Sequence, residues 1–181
     1  LGMHAFGLEE MGDYARAETA GTRAVASDPR DAWAIHAVAH VLEMTNRVAD
    51  GQQWLASRAK DWSEDNFLAI HNWWHLALFY LDQQQWEEVL TLYDTRIRGT
   101  DSAVIMDMLD ASALLWRLRL QGVDVGDRWQ RLAAVWEPHI DDAWYSFNDI
   151  HAMMSFVGAG RSDLAERLLV VMERSAQQPT D

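Results

Sequence analysis

Apolar residues recur three or four positions apart over most of the chain, and short polar or glycine-containing stretches break the pattern at about the interval of a helical hairpin. Ile35, Val38, Ala39 and Leu42 form one such stripe; the chain then turns near Asn46 and Arg47 and resumes at Val48 with a small residue, Gly51. The same order returns from about Asn66, through His71, His75 and Tyr80, with a turn at Gln83 to Gln85 and a return through Trp86, Val89, Leu90 and Tyr93. The first helix of this unit reads about one turn longer. A fourth pair carries Met106 to Leu120, turns at Gly122 and continues from Gly126 through Trp129, Leu132 and Trp136 to Pro138. A fifth spans Asp142 to Gly158, turns at Gly160 and Arg161, and ends with Leu164 to Met172. The pattern predicts an all-α chain of about five antiparallel helical hairpins, forming one domain over residues 1–181 in which each hairpin buries its apolar face on the next.

The pattern is also a repeat of sequence. Ala34-Ile35-His36-x-x-x-His40 returns 35 residues later as Ala69-Ile70-His71-x-x-x-His75, the period of stacked helical hairpins. Nearer the start, Gly12 marks a turn, Ala17 and Ala24 are small enough for close helix approach, Tyr14 fills the space between helices, and Pro29 stops the second helix. This segment resembles the latter part of a tetratricopeptide repeat, which implies a right-handed superhelix. Longer strings are more specific: His36 to Met44, His71 to Leu78, Leu92 to Asp94, Asp110 to Leu118 and Phe147 to Met154 together resemble the tetratricopeptide repeat protein 38-like family over nearly the whole chain. That resemblance implies a fold and a set of polar positions, and no reaction, substrate or cofactor. Members are longer and carry a Ser-His-Ala-Gln-Arg-Asp string that is missing here. Leu1 to Leu8 also read as an apolar helix already in mid-repeat, without the polar cap of a terminal repeat, so the chain is expected to be an excerpt of a longer array. The same apolar first hairpin is the expected surface for a homodimer.

Composition narrows the function classes. Fifteen basic against 28 acidic residues give a net charge of −13, a field that repels phosphate backbones and anionic headgroups, so neither nucleic acid nor membrane is an expected partner. No apolar run approaches the ~18–20 residues of a membrane span. The absence of cysteine removes disulfide and thiol chemistry and suits a cytoplasmic protein. Ten tryptophans in 181 residues are expected mostly in the core. Arg117, Arg119, Arg128 and Arg131 form a local basic concentration expected to pair with surface acids.

The candidate chemistry lies on the repeated histidines. Residues at i, i+4 and i+7 share a helical face, so His36, His40 and Glu43 can converge, and His71 and His75 take equivalent places one hairpin on. A further step of 35 reaches Asp110, and His151 is the nearest match in the fifth unit; Asn72 stands beside the second pair. These residues predict a concave, His/Asp/Trp-rich groove that holds a protein, a peptide or a small polar ligand, making the chain a binding or interaction module without a cofactor. Two alternatives stay open. Stacked repeats can keep His, Asp and Asn together only to satisfy one another, since an unpaired buried polar group costs roughly 1–3 kcal/mol. The spacing also fits a metal-dependent enzyme of unknown reaction, with ligands from the His36/His40/Glu43 and His71/His75 helices, because buried clustered imidazoles stay neutral and offer lone pairs. His-x-x-x-His lacks the glutamate of the zinc-protease pattern, Ser112 and Ser146 have no base-and-acid context, and no glycine loop forms a phosphate cradle.

Overall fold

The structure is a computed structural model that describes residues 1–142 and 145–177. It is all-helical, with no strand among the described residues. The chain divides into two compact units, 1–97 and 98–181.

The first unit holds α1 (Gly2–Glu10), α2 (Tyr14–Ser27), α3 (Ala32–Met44), α4 (Val48–Ala56), the short α5 (Ala59–Trp62), α6 (Ala69–Asp82), α7 (Trp86–Leu92) and a π-helical segment, Tyr93–Ile97. Measured from the shared Ala-Ile-His start, α6 does outrun α3 by about a turn. The second unit holds α8 (Ile105–Leu120), α9 (Arg128–Trp136), a 3₁₀ turn at Glu137–His139, α10 (Ser146–Gly158) and α11 (Ser162–Ala176). A left-handed residue stands in the connections α1–α2, α3–α4, α6–α7, α8–α9 and α10–α11: Gly12, Asn46, Gln84, Gly122 and Gly160, with φ between 57° and 77°. This is the conformation that lets a helix end and reverse within a few residues, and it is cheapest for Gly and then Asn.

In the first unit α1, α2 and α3 pack on one another, and α3 packs on α4 and α6. Asp31 caps α3 by accepting from the Ala34 amide at 3.0 Å, and it also accepts from the Gly2 amide at 3.0 Å. One carboxylate thus ties the N-terminal ends of α1 and α3 together, and both helices run the same way. Ile35, Val38, Leu42, Leu55, Trp62, Leu76 and Phe79 form the core beneath them. Gly51 is the small residue this core requires, because a Cβ there would lie 2.1 Å from the Phe79 ring. Gly51→Ala is therefore expected to cost about 1–3 kcal/mol of stability by overpacking, read from a urea unfolding midpoint; an unchanged midpoint would mean that Phe79 moves aside freely.

In the second unit α10 packs on α8, α9 and α11. Its interior is joined by a hydroxyl network in which the Trp136 indole donates to Ser112 Oγ at 2.9 Å and Ser112 Oγ meets Ser155 Oγ at 3.0 Å. Ser112 is thereby a packing residue that links three helices. Of the nine described tryptophans, Trp62, Trp129 and Trp136 are buried and the other six are half-buried. Indole is large and keeps one polar edge, so it settles at helix seams with its N–H on a carbonyl, as Trp54 does on Ile35 at 3.0 Å. Arg131 pairs with Asp101 at 3.2 Å. No described helix is long and apolar enough to cross a membrane.

Candidate metal centre

Helices α3 and α6 lie side by side in the first unit with their repeated strings in register. Spacing by four puts His36 and His40 on one face of α3, and the same spacing puts His71 and His75 on the facing side of α6. The result is a close gathering of ring nitrogens. His75 Nε2 lies 3.0 Å from His40 Nε2, 3.2 Å from His36 Nε2 and 3.2 Å from His71 Nε2. One ligand nitrogen from each of the four rings can be chosen so that all lie within 4.8 Å of one another.

Three nitrogens around one cannot all be held by hydrogen bonds. A neutral imidazole nitrogen carries either one proton or one lone pair, in the plane of its ring. On its other edge His75 Nδ1 faces Glu43 Oε2 at 3.2 Å, which places the proton on Nδ1 and leaves the lone pair on Nε2. That lone pair accepts one good hydrogen bond, and three neighbours are present. Bonds of about 2.0–2.1 Å from four imidazoles to one ion place neighbouring nitrogens roughly 3–3.5 Å apart. The observed spacing around His75 is of that size.

Charge and burial point the same way. Burial first, then the neighbouring His75, His40 and His71, hold His36 far below the ordinary imidazole range. Burial also lowers His40, opposed by Glu43 and assisted by His71. His36 and His40 are therefore neutral donors at neutral pH. His36 Nδ1 is buried and makes no hydrogen bond within the protein. Asn72, fully buried beside His71 in sequence, likewise makes none with its amide.

Walls and mouth are aromatic and acidic. Phe6 of α1 stands 5.3 Å from the His36 ring and 5.2 Å from Trp33, while Trp74 stacks on His71 at 5.3 Å and 12°. A cavity of about 300 Å³ opens over the cluster, lined by His40, Glu43, Met44, His71, Trp74 and His75. On the α1 side Glu9 Oε2 lies 3.4 Å from His40 Nδ1. Burial, then Glu10, then Glu43 raise the Glu9 carboxyl to about 7.

The structure thus gathers five of the residues singled out in the sequence: His36, His40, Glu43, His71 and His75. Asp110 and His151 belong to the second unit, buried on α8 and α10, where His151 Nδ1 donates to the Phe147 carbonyl at 2.7 Å. The four-histidine cluster is built without them. Phe6 and Glu9 carry no signal of this kind, because α1 holds no copy of the histidine string. Aligning the turns instead, Gly12 on Asn46, would have placed Phe6 opposite His40 and Glu9 opposite Glu43. No protein-family model matches the chain, and no solved structure matches it.

Proposed function

We propose that the first unit is a metal-binding module in which His36, His40, His71 and His75 hold one divalent transition-metal ion, and that the cavity above it admits a small polar ligand to the metal. The observation that carries this reading is the approach of three Nε2 atoms to within 3.2 Å of a fourth, with the fourth ring's Nδ1 facing Glu43 on its far side. The same convergence favours the metal alternative over a groove that binds without one. An all-imidazole set suits zinc, copper, nickel or iron(II) better than magnesium or calcium, which take oxygen ligands. Four neutral ligands leave the ion's charge uncompensated at first contact, and Glu43 and Glu9 supply negative charge one layer out.

The cavity supports the second half of the reading. About 300 Å³ is at the lower end of small-molecule sites, and its lining combines an indole and a methionine with polar edges. A small polar ligand fits it better than a folded protein does. The five left-handed turns support the further reading of the chain as five tetratricopeptide-like hairpins in a right-handed superhelix, with membership of the tetratricopeptide repeat protein 38-like family proposed on the strings at His36 to Met44 and His71 to Leu78.

The test is elemental analysis of protein purified without an affinity tag. Near-stoichiometric zinc, copper, nickel or iron that survives dialysis is the expected result. Metal-free protein that takes up none of these ions at micromolar concentration would end the reading. Glu43→Gln keeps the shape but weakens the hold on the His75 tautomer, and is expected to lower metal affinity about 10–100-fold, measured by competition with a chromophoric chelator; an unchanged affinity would show that Glu43 has no part in holding the ion.

A further inference from the structure

A second set of ligand atoms shares one ring with the histidine cage. One carboxylate oxygen each from Glu9 and Glu10 and one nitrogen of His40 lie within 4.8 Å of one another. Two carboxylates alone would say little, and the surroundings of Glu9 add the direction. Glu9 is only 6% exposed, and its Oε2 has no hydrogen-bond partner. That oxygen points at His40 Nδ1 from 3.4 Å, on the ring edge opposite the Nε2 that faces His75 at 3.0 Å. Both acids also sit in the last turn of α1, where the unpaired carbonyls already carry negative partial charge and no basic residue offsets it. A buried carboxylate at the negative end of a helix, with one oxygen outside any hydrogen bond, is unfavourable in its charged form unless a proton or a metal cation joins it.

We propose that Glu9, Glu10 and His40 Nδ1 form a second divalent-cation site, so that His40 bridges two metal ions through its two ring nitrogens. The proposal rests on the four-histidine reading and extends it from one ion to a pair. When the second ion binds, His40 gives up its remaining ring proton to solvent and becomes an imidazolate; nothing is oxidised or reduced. Two carboxylates and one imidazole suit zinc, manganese or iron(II) and leave coordination positions open. The exposed Glu10 side places those positions towards water. The outer ion thus has positions open to a water molecule or a small anion on the Glu10 side, while the inner ion, held by four nitrogens, faces the cavity lined by Met44 and Trp74.

Equilibrium dialysis of the metal-free protein against Zn²⁺ at pH 8 tests this directly, with the Cu²⁺-loaded protein followed by electron paramagnetic resonance. The expected result is two Zn²⁺ per chain in the wild type and one in Glu9→Gln/Glu10→Gln. The copper signal should be strongly attenuated in the wild type by coupling through the imidazolate, and should return as a single uncoupled ion in the double variant. Because Glu10 is exposed, Glu10→Gln alone preserves the fold and is expected to weaken the second Zn²⁺ at least tenfold. One Zn²⁺ in wild type and variant alike would overturn the second site and leave the histidine cage standing. No Zn²⁺ at all would overturn both. Two Zn²⁺ in both proteins would place the second ion elsewhere, and two uncoupled coppers in the wild type would remove the bridge.

Discussion

His75→Ala is expected to abolish tight metal binding and, with it, most of the thermal stabilisation that zinc confers on the wild type. His75 is the centre of the cage: its Nε2 touches the other three, and its Nδ1 is the one oriented by Glu43. Removing it takes away a ligand and also unlocks the facing rings of α3. An ion that binds only the folded state stabilises it by about 4 kcal/mol when free ion stands a thousandfold above its dissociation constant. That increment should appear in the wild type on adding zinc and should nearly vanish in His75→Ala. Replacing His75 also leaves a void in a buried position, so the metal-free variant should itself be weaker by about 1–3 kcal/mol. Comparing each protein with and without zinc separates the two losses. An equal zinc response in both would show that the ion binds elsewhere.

Glu9→Gln is expected to stabilise the metal-free protein at pH 8 and to leave it nearly unchanged at pH 4.5. The Glu9 carboxyl is raised from 4.5 to about 7 in the folded state, through burial and the nearby Glu10 and Glu43. A raised carboxyl binds its proton more tightly when folded, so its favourable contribution is complete below the unfolded value and is lost as pH rises through the folded one. Glutamine imitates the protonated form at every pH. Each tenfold gain in proton affinity on folding corresponds to about 1.4 kcal/mol, so the variant should gain roughly 2–3 kcal/mol above pH 7. The histidines act in the opposite sense. His36 and His40 are lowered when folded, so the metal-free protein also loses stability as pH falls below the unfolded histidine value of 6.5. Taking the variant minus the wild type at each pH removes the histidine part and isolates Glu9. A difference independent of pH would show that Glu9 titrates normally.

Helices and the histidine pairs were the legible part of this chain. A helical period fixes which residues share a face, so His36, His40 and Glu43 could be placed together, and the 35-residue recurrence put His71 and His75 opposite them. Period alone does not give separation between helices. Whether four imidazoles stand within touching distance or merely line the same surface depends on the closeness of α3 and α6, which is set by the small and aromatic residues beneath, Ala39 and Phe79 among them. That is why groove, network and metal readings are all compatible with the sequence. Glu9 escaped for a different reason: its place in the site follows from α1 lying beside α3, tied by Asp31, and no recurring string marks it. The short α5 and the π-helical segment at Tyr93–Ile97 were also invisible, since neither has a period long enough to register.

The most direct test of the cage is X-ray absorption at the zinc edge, on Glu9→Gln/Glu10→Gln loaded with one equivalent of zinc. Four histidine ligands predict a nitrogen shell at about 2.0–2.1 Å with the outer-shell scattering of four imidazole rings. A shell dominated by oxygen, or one containing fewer than three imidazoles, would contradict them.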